Sequence, residues 1–315
     1  MATNTNKWTA QLIAAQSGRR VLITGANSGI GFETARELAR KGAEIVLPAR
    51  SLEKANGAVD RIRREIPSAN LIPQVLDLAS QASVGEFAAW FAEHYPGPSI
   101  DLFIHNAGVM AIPKRELTVD GFERQFATNF LGPFALTALL YRHVRQQAGN
   151  RIVIVSSSVT KWAKIDFDNL QSERRYSPMA QAYGQSKLAD SLFALELQRR
   201  MASAGSPVIV TSAHPGYAIT NLQTSGPGKG FSAFRIMIGI LGPILSQDAA
   251  HGALPTLFAA VAPEAVPGGY YGPDGLFEAK GYPRDVAIPR RAQDHANAAR
   301  LWEEAERLTG LAFRV

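Results

Sequence analysis

The sequence predicts an α/β fold, a single-domain doubly wound parallel sheet with helices on both faces, and three observations carry that expectation. From Arg19 onward short β-branched runs alternate with amphipathic helical stretches, the runs are apolar throughout, and no Pro/Gly/Ser-rich linker or internal repeat interrupts the chain as far as Pro215. Strands covered on both faces read as continuous apolar runs, and parallel neighbours need a helical crossover between them. The whole chain, 1–315, is therefore expected to be one domain, with residues 1–17 as a polar N-terminal extension.

In order, Val21-Leu22-Ile23 is a strand followed by a helical pattern from Ile30 to Lys41. Ile45-Val46-Leu47 precedes a helix over Leu52 to Ile66, and Leu71-Ile72 with Val75 precedes one over Val84 to His94. Leu102-Phe103-Ile104 is followed by a long helix expected from about Phe130 to Gln147. Ile152 to Val155 precedes a helix over about Met179 to Met201, and Val208-Ile209-Val210 is the sixth run. Beyond His214, Gly, Pro and Ser are frequent up to Lys229 and an apolar segment spans Phe231 to Leu245. Two readings of 214–246 stand: a substrate lid, because ligands of such sheets bind outside the carboxyl ends of the strands, or an ordinary surface connection. Gly269 to Pro273 is a candidate last strand and His295 to Leu308 a closing helix.

Composition excludes several classes. Of 315 residues, 46% are hydrophobic and 19% charged, with 27 Gly and 18 Pro, which argues against disorder and collagen-like repeats. With no cysteine there is no disulfide, no thiolate metal site and no Cys nucleophile, and the 6 His are dispersed without a ligand pattern, so no metal is expected. The charge of +6 comes from basic pairs scattered along the chain, which suits a small anionic ligand better than a nucleic-acid groove. The N-terminus has no secretory pattern. The longest apolar stretch, Ile236 to Leu245, is broken by Gly239, Gly242 and Pro243 and falls short of the ~20 residues of a membrane span. A soluble, cytoplasmic protein is expected, and a homo-oligomer is compatible with this reading.

Thr24-Gly25-Ala26-Asn27-Ser28-Gly29-Ile30-Gly31 joins the first strand to the first helix. There the backbone turns sharply, offers N–H groups to a phosphate and lets helix and strand approach closely, and each demand disfavours a Cβ. The strand-to-helix context separates a pyrophosphate site from a mere tight turn. Asp77-Leu78 follows the third strand, His105-Asn106-Ala107-Gly108 the fourth, Ser156-Ser157 the fifth and His214-Pro215-Gly216 the sixth; Asn129 and Tyr183-Gly184-Gln185-Ser186-Lys187 lie on helical stretches.

This ordered set, from Gly18 to Thr220, resembles the short-chain dehydrogenase/reductase family, whose fingerprint is Thr-Gly-x-x-x-Gly-x-Gly. The resemblance implies a Rossmann fold binding a nicotinamide dinucleotide through Gly25, Asn27, Ser28, Gly29, Ile30 and Gly31. It further implies that Asp77 and Leu78 meet the adenine and that Asn106, Ala107 and Gly108 wall the adenine-ribose pocket, with His105 at a position that is often Asn. Pro215, Gly216, Ile219 and Thr220 resemble the segment that meets the carboxamide. Asp77 also reads as a strand-end helix cap beside Ser80.

Cofactor choice rests on the end of the second strand. A free ribose favours an acidic acceptor there, whereas a 2′-phosphate favours a cation. Arg50, followed by Ser51, predicts NADP(H), a guanidinium being able to pair bidentately with phosphate; the bland alternative is a solvated arginine near the start of the next helix.

Tyr183 and Lys187 are four apart, so on a helix they leave one face a turn apart. A free phenol titrates near pH 10 and is a poor base at neutral pH; a nearby ammonium favours the phenolate. By resemblance Tyr183 is the proton donor and acceptor, Lys187 tunes it and binds the nicotinamide ribose, and Ser157 holds the substrate oxygen, with Ser156 and Ser158 as adjacent registers. Asn129 completes the tetrad through a water, or else caps the helix beginning at Phe130. The implied activity is hydride transfer between NADP(H) and the carbonyl or alcohol group of a small molecule.

Between Ser157 and Tyr183 lie 25 residues, longer than in simple members of the family. With Ile165 to Tyr176, Asn129 to Phe134 and Ser186 to Ala189, this stretch resembles the retinol-dehydrogenase-like and WW-domain-oxidoreductase-like branch, which implies a bulky apolar aldehyde or ketone as substrate, a carbonyl reductase in general terms. Phe231 to Leu245 fits either a greasy entrance or a helix packed on the core. Two alternatives accompany this reading: a non-catalytic NADP-binding redox-sensing or regulatory module, which would commonly lack the Tyr or Lys, and a protochlorophyllide-reductase-like enzyme, whose chemistry is associated with a cysteine this chain lacks.

Overall fold

The computed structural model describes residues 7–217 and 247–315. Its strands are β1 (Arg20–Ile23), β2 (Glu44–Ala49), β3 (Leu71–Val75), β4 (Leu102–His105), β5 (Arg151–Val155), β6 (Ile209–Ala213), β7 (Tyr270–Pro273) and β8 (Pro283–Asp285). They form one sheet in the order β3-β2-β1-β4-β5-β6-β7-β8. Every pairing is parallel except β7 with β8. The predicted doubly wound parallel sheet is present, with an antiparallel edge hairpin added. β8 escapes sequence reading because a three-residue edge strand with two exposed positions has no apolar run.

Helices α1 (Gly29–Arg40), α2 (Leu52–Glu65), α3 (Gln81–His94), α4 (Arg124–Phe126), α5 (Gly132–Leu140), α6 (Gly184–Ser203), α7 (Ala249–Val261) and α8 (His295–Thr309) cover both faces. Alternate strand residues serve two cores, as the two-residue period of a strand requires. Leu22, Phe103, Ile152 and Ile154 pack with α3, α5, α6 and α8, whereas Val21, Ile23, Ile104 and Val153 pack with α1, α2 and α7. The first core centres on Phe134, Phe193, Trp302 and Phe313, the last two rings stacking at 4.7 Å. In the second, buried Arg151 donates to the carbonyls of Ala259 at 2.9 Å and Ala262 at 2.7 Å, filling acceptors the end of α7 leaves open.

Two helical expectations change. The long helix over 130–147 is a π-helical turn at Ala127–Leu131, then α5, then a 3₁₀ turn at Tyr141–His143. It stops because the His143 carbonyl accepts from the N–H groups of Ser99 and Ile100, at 2.7 and 2.8 Å, which draws the chain alongside the lead-in to β4. The helix expected from Met179 begins as a second π-helical turn, Pro178–Tyr183, before α6. α7 lay outside the sequence expectation, and Pro255 inside it explains why, since an interior proline removes a ladder hydrogen bond.

Gly132, the first residue of α5, allows that helix to touch the chain leaving β3. A Cβ there would meet the Leu78 carbonyl oxygen and come within 2.9 Å of the Leu78 Cβ. Gly132→Ala is therefore expected to lower stability by about 1–3 kcal/mol, the usual effect of overpacking against backbone, and urea unfolding of the two proteins measures it.

Candidate active site

Strands β1 and β4 are neighbours while β2 lies on the other side of β1, so the chain direction switches between them and a crevice opens at their carboxyl ends. A cleft of about 450 Å³ occupies that place, lined by the glycine loop, Arg50, Asp77, Asn106 to Val109, Tyr183, Lys187 and Pro215.

The glycine loop is shaped by contact with β4. Gly25 has φ +69°, and a Cβ on it would lie 2.8 Å from Ala107 Cα; a Cβ on Gly31 would strike the Asn106 amide and the Gly25 carbonyl. Gly29 also takes a positive φ, +58°. Thr24 fastens the two segments: its hydroxyl accepts from the N–H groups of Asn106 and Ala107, both at 3.1 Å, and Asn106 Nδ2 donates to Thr24 O at 3.0 Å. Ser28 stands at the N-cap of α1 without a side-chain cap bond, so the N–H groups of the first turn face the cleft unspent by a cap. Asn27 and Ile30 line the cleft beside them. The cradle fits a dinucleotide pyrophosphate, since Gly25 and Gly31 let the loop lie against the exit of β4 and the first-turn N–H groups carry no side-chain cap.

Arg50 is exposed at the rim beyond β2, and Ser51 caps α2, its hydroxyl accepting from Lys54 N at 3.4 Å. Asp77 accepts from Ala79 N at 3.0 Å, a local turn; the capping residue of α3 is Ser80, which accepts from Ser83 N at 3.3 Å. The cap reading of Asp77 is thus corrected to an Asx turn, which aims the strand end at the cleft. Leu78 is buried beneath α5. His105 is buried, and burial pushes its imidazole down to about 3. Thr137 donates to Pro133 O at 2.7 Å and so accepts from His105 Nε2–H at 2.9 Å, which assigns the neutral tautomer.

Asn129 is no helix cap: it sits inside the first π-helical turn, where its Oδ1 accepts from Val109 N at 2.7 Å. Its Nδ2 donates to Val109 O at 2.9 Å and to Ser186 Oγ at 2.8 Å. Ser186 in turn donates to Tyr183 O at 2.8 Å, so the two π-helical turns are tied to each other. A Cβ on Gly108 would lie 3.3 Å from Asn129 Oδ1 and 3.5 Å from Lys187 Nζ, which brings those two polar groups together at the cleft wall.

The serine register is distinguished by hydrogen bonding. Ser156 is buried, its hydroxyl donating to Lys187 O at 3.0 Å beside Ser191 Oγ. Ser157 is half-buried and accepts from Val159 N at 3.3 Å, which leaves its hydroxyl proton uncommitted among the described residues. Ser156 lines the cleft and Ser157 stands one residue further along. Tyrosines separate similarly. Tyr270 and Tyr176 donate to the Ser157 and Ile112 carbonyls, and burial pushes both phenols up, Tyr176 to about 12. Tyr183 is the tyrosine that lines the cleft, one turn before Lys187.

The short chain dehydrogenase family profile matches residues 19–227. The chain is 42% identical over 301 residues to human (Homo sapiens) retinol dehydrogenase 13, covering 93% of this chain and 85% of that one. The chain belongs to the short-chain dehydrogenase/reductase family. Polyprenol dehydrogenase of Mus musculus is 39% identical over 307 residues, covering 95% and 86% of the two chains. A solved structure from Mycobacterium Paratuberculosis superposes with a TM-score of 0.80 at 38% identity, covering 98% of this chain and all of that one. Together these place this dehydrogenase in the retinol-dehydrogenase-like branch.

Some residues that shape the site of this dehydrogenase escaped sequence reading. Gln185 accepts from Asp166 N at 2.8 Å and donates to Leu170 O at 3.1 Å, clipping the long stretch before Tyr183 onto the start of α6. Asp190 pairs with Lys187 at 2.9 Å; an acid one turn beyond the lysine was the available signal. Of the residues the sequence did single out, Gly216, at φ +66°, packs against Ala279, and Pro215 O accepts from Gln247 Nε2 at 2.7 Å. Buried His214 donates through Nε2 to Glu278 at 2.9 Å, and Lys161 meets the same carboxylate at 2.8 Å. Ile219, Thr220 and Phe231 to Leu245 lie outside the described residues.

The hydrogen bond from His214, opposed by burial and aided by Lys161, holds Glu278 down at about 2, below its ordinary 4.5. A depressed carboxyl contributes stability above its unfolded pKa and loses it as pH falls through the folded one. Glu278→Gln is therefore expected to lower stability by about 1–2 kcal/mol at pH 7 after allowance for solvent screening. In calorimetry the gap to the wild type should hold down to about pH 4.5 and close as pH falls toward about 2.

Proposed function

We propose that this protein is an NADP(H)-dependent oxidoreductase that interconverts a carbonyl and a primary or secondary alcohol on a bulky apolar small molecule. The observation that carries the reading is the cleft itself, which the glycine-rich loop at the end of β1 lines together with Tyr183 and Lys187. Nicotinamide, when bound, supplies or accepts a hydride at the substrate carbon.

The chain's own residues supply the rest. Tyr183 donates a proton to the substrate oxygen in reduction and takes it back in oxidation, Ser157 donates a hydrogen bond to that oxygen, and Lys187 keeps positive charge beside the phenol. Burial pulls the ammonium down, but Asp190 and Tyr183 outweigh it, and Lys187 stays above its ordinary value and so charged. Pre-aimed donors in a partly desolvated cleft stabilise the developing alkoxide more than water would. Asn129, fixed through Val109 and Ser186, holds the π-helical turn that backs the lysine.

NADP(H) is favoured over NAD(H) by Arg50, a cation at the rim where the adenosine ribose would lie, with no acid at that position. A bulky apolar substrate is supported by the relatives' names, since retinol and polyprenol are both long apolar alcohols.

Two outcomes test the proposal. Tyr183→Phe should cut turnover at least about 100-fold while leaving NADPH binding, followed by nucleotide fluorescence, nearly intact. Arg50→Asp should lower the preference for NADPH over NADH, as a ratio of kcat/KM, by about tenfold or more, the effect of losing one charge-assisted phosphate contact.

A further inference from the structure

Tyr183, Lys187 and Asp190 recur at intervals of four and three along α6 and the turn that leads into it, so they share one face. The proposed proton transfer uses the first two and has no task for the third. Lys187 Nζ donates to Asp190 Oδ2 at 2.9 Å and to Val155 O at 3.0 Å, and the two side chains are only 6% and 3% exposed. Around them α6 buries Leu188, Ala189, Leu192 and Phe193, an apolar setting in which a carboxylate is costly without a partner.

Other groups packed against α6 are neutral or committed elsewhere. β5 presents Val155 O and the Ser156 hydroxyl, the first π-helical turn presents Asn129, and α8 presents apolar Leu301, Trp302 and Ala305. Arg291, from the turn at Arg290–Gln293, donates to Trp162 O and Ala163 O. Tyr270 on β7 feels Tyr183 and Glu278, and Glu278 is taken by His214 and Lys161. Among the described residues the titratable groups acting on Lys187 are Asp190 and Tyr183, and the one acting on Asp190 is Lys187.

Resting on the function proposed above, we propose that Asp190 is a positioning residue: it fixes the Lys187 ammonium and screens Tyr183 from part of its charge, setting the enzyme for carbonyl reduction. An isolated ammonium beside a phenol favours the phenolate, the form that takes a proton from an alcohol. A carboxylate paired with that ammonium at 2.9 Å opposes this effect. In reduction the carbonyl carbon gains the hydride of the reduced nicotinamide, its oxygen gains the Tyr183 proton, and solvent reprotonates the phenolate. Burial pushes Asp190 up to about 6 against the pull of Lys187, so the carboxylate is charged at neutral pH and the screening operates there.

The test is an ultraviolet difference titration of tyrosinate in the NADP⁺ complex, with Tyr183→Phe identifying the Tyr183 transition. In Asp190→Asn that transition should move to lower pH by about half to one unit, and the acidic limb of alcohol oxidation, assayed with retinol, should move with it. On that limb oxidation rises about 3- to 10-fold, and Asp190→Glu restores the wild-type profile. A folded Asp190→Asn with the transition unmoved overturns the proposal. Asp190→Ser is read in the same way, and failure of both variants to fold makes Asp190 a structural partner only, which also overturns it. If Tyr183→Phe still turns over, it is the acid–base function that fails, whatever Asp190 does.

Discussion

A buried ammonium is the constraint around which the rest of the site is arranged. Lys187 emerges from a largely buried helix, and it is held by one carboxylate and one carbonyl, Asp190 and Val155. Its own carbonyl accepts from Ser156 at the end of β5, so strand and helix are locked at both ends of this residue. The lock explains the second π-helical turn. Tyr183 must arrive one turn earlier on the same face, and a chain returning from the long loop of residues 158–177 is taken up by an irregular first turn. π-helical turns are found preferentially at functional sites, where the lost hydrogen-bond regularity is compensated by side chains. Here Ser186 and Asn129 compensate, bonding one irregular turn to the other.

The cofactor cradle follows the same logic with different materials. A loop can approach a neighbouring strand within van der Waals distance only where it has no Cβ, and Gly25 and Gly31 are held against Ala107 and Asn106. Thr24 then converts a close approach into a fixed one, its hydroxyl receiving two backbone N–H groups of the β4 exit. A satisfied polar link of this kind specifies a single geometry more sharply than apolar contact does. The walls of the cleft therefore combine loops with the ends of strands and helices, all positioned by a rigid parallel sheet.

What the sequence made legible was whatever rests on backbone necessity or on periodicity. The glycine loop could be read because only glycine tolerates its φ values and contacts, and strands β1, β2, β4 and β5 because burial on both faces leaves an apolar run. Asn129 was assigned to the right neighbourhood, but its alternative as a helix cap failed, since no residue-level signal announces a π-helical turn. The helix over 130–147 was overextended for a tertiary reason: the His143 carbonyl was claimed by Ser99 and Ile100, more than forty residues away. Asp190 was passed over because a lone acid on a helix usually faces solvent. Only burial by α6's neighbours turns it into a partner of the lysine.

The β6 end of the cleft is built on the opposite principle, charge rather than backbone. His214 is fully buried at the end of β6, and Gly216 N donates to its Nδ1 at 3.3 Å, which leaves Nε2–H to donate to Glu278. Glu278 and Phe277 both hold φ near +55°, an unfavourable conformation for side-chain-bearing residues. The chain accepts it where the carboxylate reaches two cations or donors at once, His214 and Lys161. Tyr217 N donates to Ala279 O at 2.7 Å and Gln247 N to Tyr217 O at 3.0 Å, so the same strained turn grips the point where residues 217 and 247 meet. A substitution that relaxes the turn thus acts on Pro215 and Gly216 without touching them, through His214 and Ala279.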